Sequence, residues 1–140
     1  MNSPNYSVLL VDDIADMREL IAYELESLGV NIYHASSGEE AFQIYSTHQI
    51  DFIVSDVNMP NGNGVSLIRK INNQRLNLPP IVLMTGFSTL TDEDAQKLGV
   101  IRIFENLLDL TEIKNLVHEH MMKLKTGPFA EGKPYLSKAS

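Results

Sequence analysis

The sequence predicts an α/β fold built as a doubly wound parallel sheet, and three observations predict it. Five short β-rich apolar runs alternate with five segments of helical period or composition. Two of the runs, Val8-Leu9-Leu10-Val11 and Ile81-Val82-Leu83-Met84, are apolar throughout, as strands covered on both faces are. Strand-helix alternation of this kind implies right-handed crossovers and helices on both sides of the sheet. The 140 residues with no Cys suit one domain that holds its core without a disulfide or thiolate metal site.

The first strand is placed at Tyr6 to Val11. A helix follows in which Ile14, Met17, Ile21, Leu25 and Leu28 recur at spacings of three and four, with Gly29 as the stop signal. The second strand is Val30 to His34. Ser37 and Glu40 have capping-box spacing ahead of Ala41, Ile44 and Tyr45, which mark the second helix. Ile50 to Ser55 is the third strand, and Val65 to Arg75 the third helix through Leu67, Ile68 and Ile71, ending before Pro79-Pro80. Pro80 to Thr85 is the fourth strand. The fourth helix is the weakest by pattern, Leu90 to Leu98 before Gly99, with Thr91 and Asp94 spaced as a capping box. Val100 to Phe104 is the fifth strand. The fifth helix begins at Asp109 and Glu112, runs through Ile113, Leu116, Val117, Met121 and Leu124, and stops at Gly127-Pro128. Residues 6–124 form the domain on this reading, and 125–140 a tail with no room for an output domain.

Eighteen acidic against eleven basic residues leave a net charge of -7, which argues against nucleic acid or an anionic membrane as partner. No apolar run approaches the roughly 20 residues needed to span a bilayer, and residues 1–7 carry no export signal. A cytoplasmic location is expected. The four His are scattered and are assigned no metal role, and Gly62-Asn63-Gly64 lacks the lysine of a phosphate-binding loop.

In an open sheet of this class the ligand crevice lies at the carboxyl ends of the strands. Asp12-Asp13 end the first strand, Ser55-Asp56 the third, Thr85-Gly86 the fourth, and Glu105-Asn106 follow the fifth. Each carboxylate alone reads as a turn or cap residue. Together, with the first and third strands as neighbours about 4.8 Å apart, they place three carboxylates in one crevice. All-oxygen ligands favour Mg²⁺, and a carboxylate beside such an ion can be a nucleophile toward a phosphoryl group.

Val11-Asp12-Asp13, Ser55-Asp56-Val57-Asn58-Met59-Pro60 with Gly64, and Met84-Thr85-Gly86 resemble, in kind and order, the receiver domain of two-component response regulators. The resemblance implies a flavodoxin-like sheet of strand order 2-1-3-4-5. It implies that Asp56 is the phosphoacceptor, that Asp12, Asp13 and Asp56 bind Mg²⁺ with the backbone carbonyl of Asn58, and that Thr85 is the switch hydroxyl. Asn58 and Phe87 match the two variable positions that influence aspartyl-phosphate lifetime. Pro60 and Gly64 would shape the loop, the glycine by permitting a sharp turn.

Two positions depart from the family pattern. Asn106-Leu107 stand where the family has Lys-Pro, and Ile103 stands at the switch aromatic. Phe104 is one residue late, which turns its side chain to the opposite face of the strand. Asn106 offers only a neutral amide in place of the lysine's charge-assisted bond.

The resemblance therefore implies a stand-alone receiver that takes a phosphoryl group from a histidine kinase or phosphotransfer protein and signals through contacts with a downstream protein. It is no enzyme beyond self-catalysed phosphorylation and dephosphorylation of Asp56. The face of the fourth helix, fifth strand and fifth helix serves dimerisation or partner binding in that family. Ile101, Ile103, Leu107 and Leu108 give it an apolar edge, so a homodimer through that face and ordinary core packing both stand as readings. The alternative function is a pseudo-receiver, a phosphorylation-independent interaction or dimerisation module, favoured by Asn106 and Ile103. A phosphatase of the haloacid dehalogenase type needs Asp-x-Asp after the first strand, whereas Asp12 and Asp13 are adjacent.

Overall fold

The computed structural model describes residues 6–59, 64–74, 78–85, 91–105 and 109–126. Five parallel strands, β1 (Ser7–Val11), β2 (Asn31–Ala35), β3 (Phe52–Asp56), β4 (Ile81–Met84) and β5 (Arg102–Phe104), form one sheet in the order β2-β1-β3-β4-β5. Five helices connect or follow them: α1 (Ala15–Leu25), α2 (Gly38–Thr47), α3 (Gly64–Gln74), α4 (Asp92–Leu98) and α5 (Leu110–Thr126). The expected architecture and strand order are both present. No helix among the described residues is long and apolar enough to cross a membrane.

Period-two alternation along each strand divides the core into two layers. Leu9, Val11, Ile53, Ile81, Leu83 and Ile103 face one layer with Ala41, Tyr45, Leu67, Ile68, Ile71 and Ala95 of α2, α3 and α4. Val8, Leu10, Phe52, Val54, Val82, Met84 and Phe104 face the other with Ile21, Leu25, Ile113, Leu116, Val117 and Met121 of α1 and α5. This explains why the strands read as unbroken apolar runs: both faces are covered.

The caps follow the sequence with adjustments. Thr91 and Asp94 form a complete capping box, so α4 starts at Asp92 rather than before it, and Gly99 closes it in the left-handed region at φ 86°. Ser37 accepts the Glu40 N–H, but the Glu40 carboxylate reaches one residue further back, to the N–H and hydroxyl of Ser36. α1 tightens into a single 3₁₀ turn over Glu26–Leu28 before Gly29 at φ 74°. Ile14, expected on the buried stripe of α1, is its N-cap residue and 54% exposed, because the chain there still has extended geometry and the helical period starts after it.

The departures on β5 are placed as follows. Ile103, for which an apolar edge and ordinary core packing both stood as readings, is 1% exposed within the layer under α4, and Phe104 is buried in the opposite layer. Ile101 is half-buried against that second layer. Leu107 and Leu108 lie outside the described residues. Among the described residues, Ile101 and Ile103 thus follow the core-packing reading.

Candidate functional site

The register of the sheet builds the site. Val11 pairs with Ser55, so Asp12, one residue further, comes level with Asp56 on the adjacent strand. Asp56 pairs with Met84, which brings Thr85 to the same rim. Parallel strands run about 4.8 Å apart, and each ends here in a polar residue whose backbone is still held. The Asp12 N–H donates to Ala35 O at 3.1 Å, Val57 N–H to Met84 O at 3.0 Å, and Thr85 N–H to Phe104 O at 2.9 Å.

One carboxylate oxygen from each of Asp12, Asp13 and Asp56 lies within 4.8 Å of the others. Asp12 is buried, Asp56 half-buried and Asp13 exposed, so the trio opens to solvent on one side. Asp12 accepts the Ile14 N–H at 2.9 Å, and Asp56 accepts the Asn58 N–H at 3.3 Å. Burial raises the Asp12 carboxyl to about 6, with the charges of Asp56 and Asp13 adding to the rise and the Ile14 N–H and Arg18 opposing it. Asp56 is raised as well, chiefly by burial, with Asp13 adding to it. Unneutralised acids raised by burial and mutual repulsion fit a hard divalent cation held by oxygen ligands.

The sign of this shift gives a testable consequence. The folded protein holds the Asp12 proton more tightly than the unfolded chain does. Stability therefore falls as pH rises from about 4 to about 6 and stays lowered above that range. Asp12→Asn should stabilise the cation-free protein at pH 7.5 by on the order of 2 kcal/mol and by much less at pH 4. Thermal denaturation in EDTA at the two pH values measures this; an equal change at both would show that the carboxyl's charge is not the cause.

Gly64, expected to allow a sharp turn in a loop whose residues 60–63 lie outside the described residues, also makes room at the site. The positive-φ glycines among the described residues are Gly29 and Gly99. A Cβ at Gly64 would lie 2.7 Å from the main-chain oxygen of Asp56 and 3.1 Å from Ser55 Oγ. Gly64 thus lets α3 press directly on the end of β3, with its own N–H bonded to Val57 O at 3.2 Å. The buried Ser55 hydroxyl, beside that same point, donates to the Asp56 carbonyl at 2.9 Å.

Thr85 is buried at the rim, and Asn58 is exposed beside Asp56. Asn106, Phe87 and Pro60 lie outside the described residues. The sequence reading did not single out Arg18. Its guanidinium donates from Nη1 to the main-chain oxygen of Asp12 at 2.6 Å and from Nε to His34 Nδ1 at 3.2 Å. The available signal was a basic residue one helical turn after Ile14, on the face of Ile21 and Leu25.

A family model described as the response regulator receiver domain matches residues 8–118. The probable transcriptional regulator ycf27 of Cyanidium caldarium is 33% identical over 92 residues, 66% of this chain and 36% of that protein. The chain thus spans little more than a third of that relative's length. Among solved structures, the receiver domain of the Francisella response regulator 1452 superposes with a TM-score of 0.76 at 26% identity. The match covers 84% of this chain and 98% of that one. The response regulator TrrA from Thermotoga maritima, solved in complex with Mg²⁺-BeF, gives 0.72 at 25% identity, covering 82% and 98%.

Proposed function

Since this chain belongs to the response regulator receiver family, and so to two-component signalling, we propose that Asp56 accepts a phosphoryl group from a phosphohistidine of a histidine kinase or phosphotransfer protein. The observation that carries the reading is the convergence of the Asp12, Asp13 and Asp56 carboxylates at the ends of neighbouring strands.

An Asp56 carboxylate oxygen attacks phosphorus, the O–P bond forms as the N–P bond of the donor breaks, and the electron pair leaves on the imidazole, which takes a proton from solvent. Mg²⁺, when bound, neutralises the clustered carboxylates and the oxygens of the transferred group. Asp12, Asp13 and Asp56 would hold it together with the main-chain carbonyl of Asn58. The raised Asp12 and Asp56 carboxyls and the all-oxygen donor set fit that ion, and the Mg²⁺-BeF complex of the Thermotoga maritima relative agrees. The Asn58 N–H on Asp56 keeps the nucleophile's carboxylate oriented. Thr85 offers a hydroxyl to the phosphoryl oxygens, and Asn106 an amide where the family has a lysine. Hydrolysis of the acyl phosphate by water returns Asp56. The reading includes a cytoplasmic location and a downstream protein, or a second copy of the chain on the α4-β5-α5 face, as receiver of the signal.

Phosphate-affinity electrophoresis with acetyl phosphate tests the acceptor role. A shifted band that requires Mg²⁺ is expected, and its absence from the wild type refutes the reading.

The burial of Ile103 favours a second reading. It fills the layer under α4 at 1% exposure, so at the position of the family's switch aromatic this chain places a buried aliphatic side chain. Light scattering after size exclusion, with and without Mg²⁺ and beryllofluoride, separates the two. A change confined to the wild type and absent in Asp56→Asn supports a working switch. An identical mass in every condition supports a phosphorylation-independent module.

A further inference from the structure

We propose that Arg18 is a positioning residue for the acidic site, clamping the chain at Asp12 to the end of β2 and so holding the Asp12 carboxylate against those of Asp13 and Asp56. The inference rests on the reading that this trio holds Mg²⁺.

Asp12 is fixed from several directions, and Arg18 supplies the one that joins three elements. Its N–H donates to Ala35 O at 3.1 Å and its Oδ1 accepts the Ile14 N–H at 2.9 Å. Its carbonyl accepts Arg18 Nη1 at 2.6 Å, while Nε of the same guanidinium donates to His34 Nδ1 at 3.2 Å. His34 stands on the edge strand β2, paired in register with Leu10 of β1. One planar, forked side chain from α1 therefore bridges the end of β1 and the end of β2, a geometry that a flexible ammonium cannot copy.

The choice of acceptor is informative. Arg18 bonds the carbonyl of Asp12 and not its carboxylate, which leaves the carboxylate for a cation. Its charge still reaches the acid and lowers its proton affinity. Charge and clamp then act in opposite directions on a metal ion. Through charge alone, removing Arg18 would tighten the binding of Mg²⁺ by deleting a like charge. Through the clamp, removing it weakens binding, because residues that orient metal ligands typically contribute a factor of about 10 to 100 in affinity.

Isothermal titration of the full chain with Mg²⁺ decides between them. Arg18→Gln is expected to weaken Mg²⁺ binding roughly tenfold, and Arg18→Lys, which keeps the charge and one donor, to recover part of the loss. His34→Ala, at an exposed position, is expected to show a smaller loss in the same direction and serves if Arg18→Gln does not fold. Melting temperatures in EDTA report any general loss of structure separately from affinity. Unchanged or tighter binding in Arg18→Gln, or in His34→Ala where that variant stands in, overturns the clamp while leaving the Mg²⁺ site intact. A wild type that binds no Mg²⁺ overturns both.

Discussion

Asp56→Asn is expected to reduce phosphoryl incorporation from acetyl phosphate and Mg²⁺ to background, with the protein folded and more stable than wild type in EDTA. Asn has the shape of Asp, but its amide oxygen is a poor nucleophile and the acyl phosphate cannot form on it. Folding should improve because burial and the neighbouring Asp13 hold the Asp56 carboxyl above its ordinary range, so a neutral side chain relieves a cost borne by the charged form. The paired result matters, since loss of label with loss of stability would describe a damaged protein. Asp16→Asn, an exposed acid in the first turn of α1, should label like the wild type. Undiminished label on Asp56→Asn would place the acceptor elsewhere.

Gly64→Ala is expected to be among the most damaging single-methyl changes in the chain, lowering stability by about 2–3 kcal/mol and impairing Asp56 labelling as well. The added Cβ would meet the Asp56 carbonyl at 2.7 Å, with Ser55 Oγ at 3.1 Å and Leu83 Cδ2 at 3.2 Å behind it. The 2.7 Å contact is backbone at the end of a central strand, so no rotamer change relieves it, and either α3 moves out or the acceptor residue shifts. Gly29→Ala is the control. Nothing lies within 4 Å of a Cβ there, but φ is 74°, so its cost of about 1 kcal/mol comes from the left-handed backbone alone. Urea denaturation of both variants checks the ranking. A Gly64→Ala variant no less stable than Gly29→Ala would mean that the α3 contact yields freely.

Much of this was legible in the chain itself. The alternation of Val8, Leu9, Leu10 and Val11 between two core layers shows as an unbroken apolar run because helices cover both faces of the sheet. Thr91 and Asp94 announced the start of α4 although its apolar pattern was thin, because capping is local chemistry that needs no tertiary partner. Ile14 misled because apolar spacing cannot tell the first residue of a helix from the extended residue before it. Apolar character on β5 was equally poor evidence of an outer surface, since Ile103 turns inward under α4.

By itself the sequence determined the strand and helix succession, the placement of Asp12, Asp13, Asp56 and Thr85 at strand ends, and the family they match. Those features are carried by residue order and short-range spacing, which are properties of the chain before it folds. Only the tertiary structure decided that Gly64 is there for the room it leaves Asp56, that the three carboxylates lie within 4.8 Å, and that Arg18 reaches Asp12 and His34 at once. Each of these is a distance between segments far apart in the chain or on different elements. Strand register and helix docking set such distances, and no local pattern encodes them.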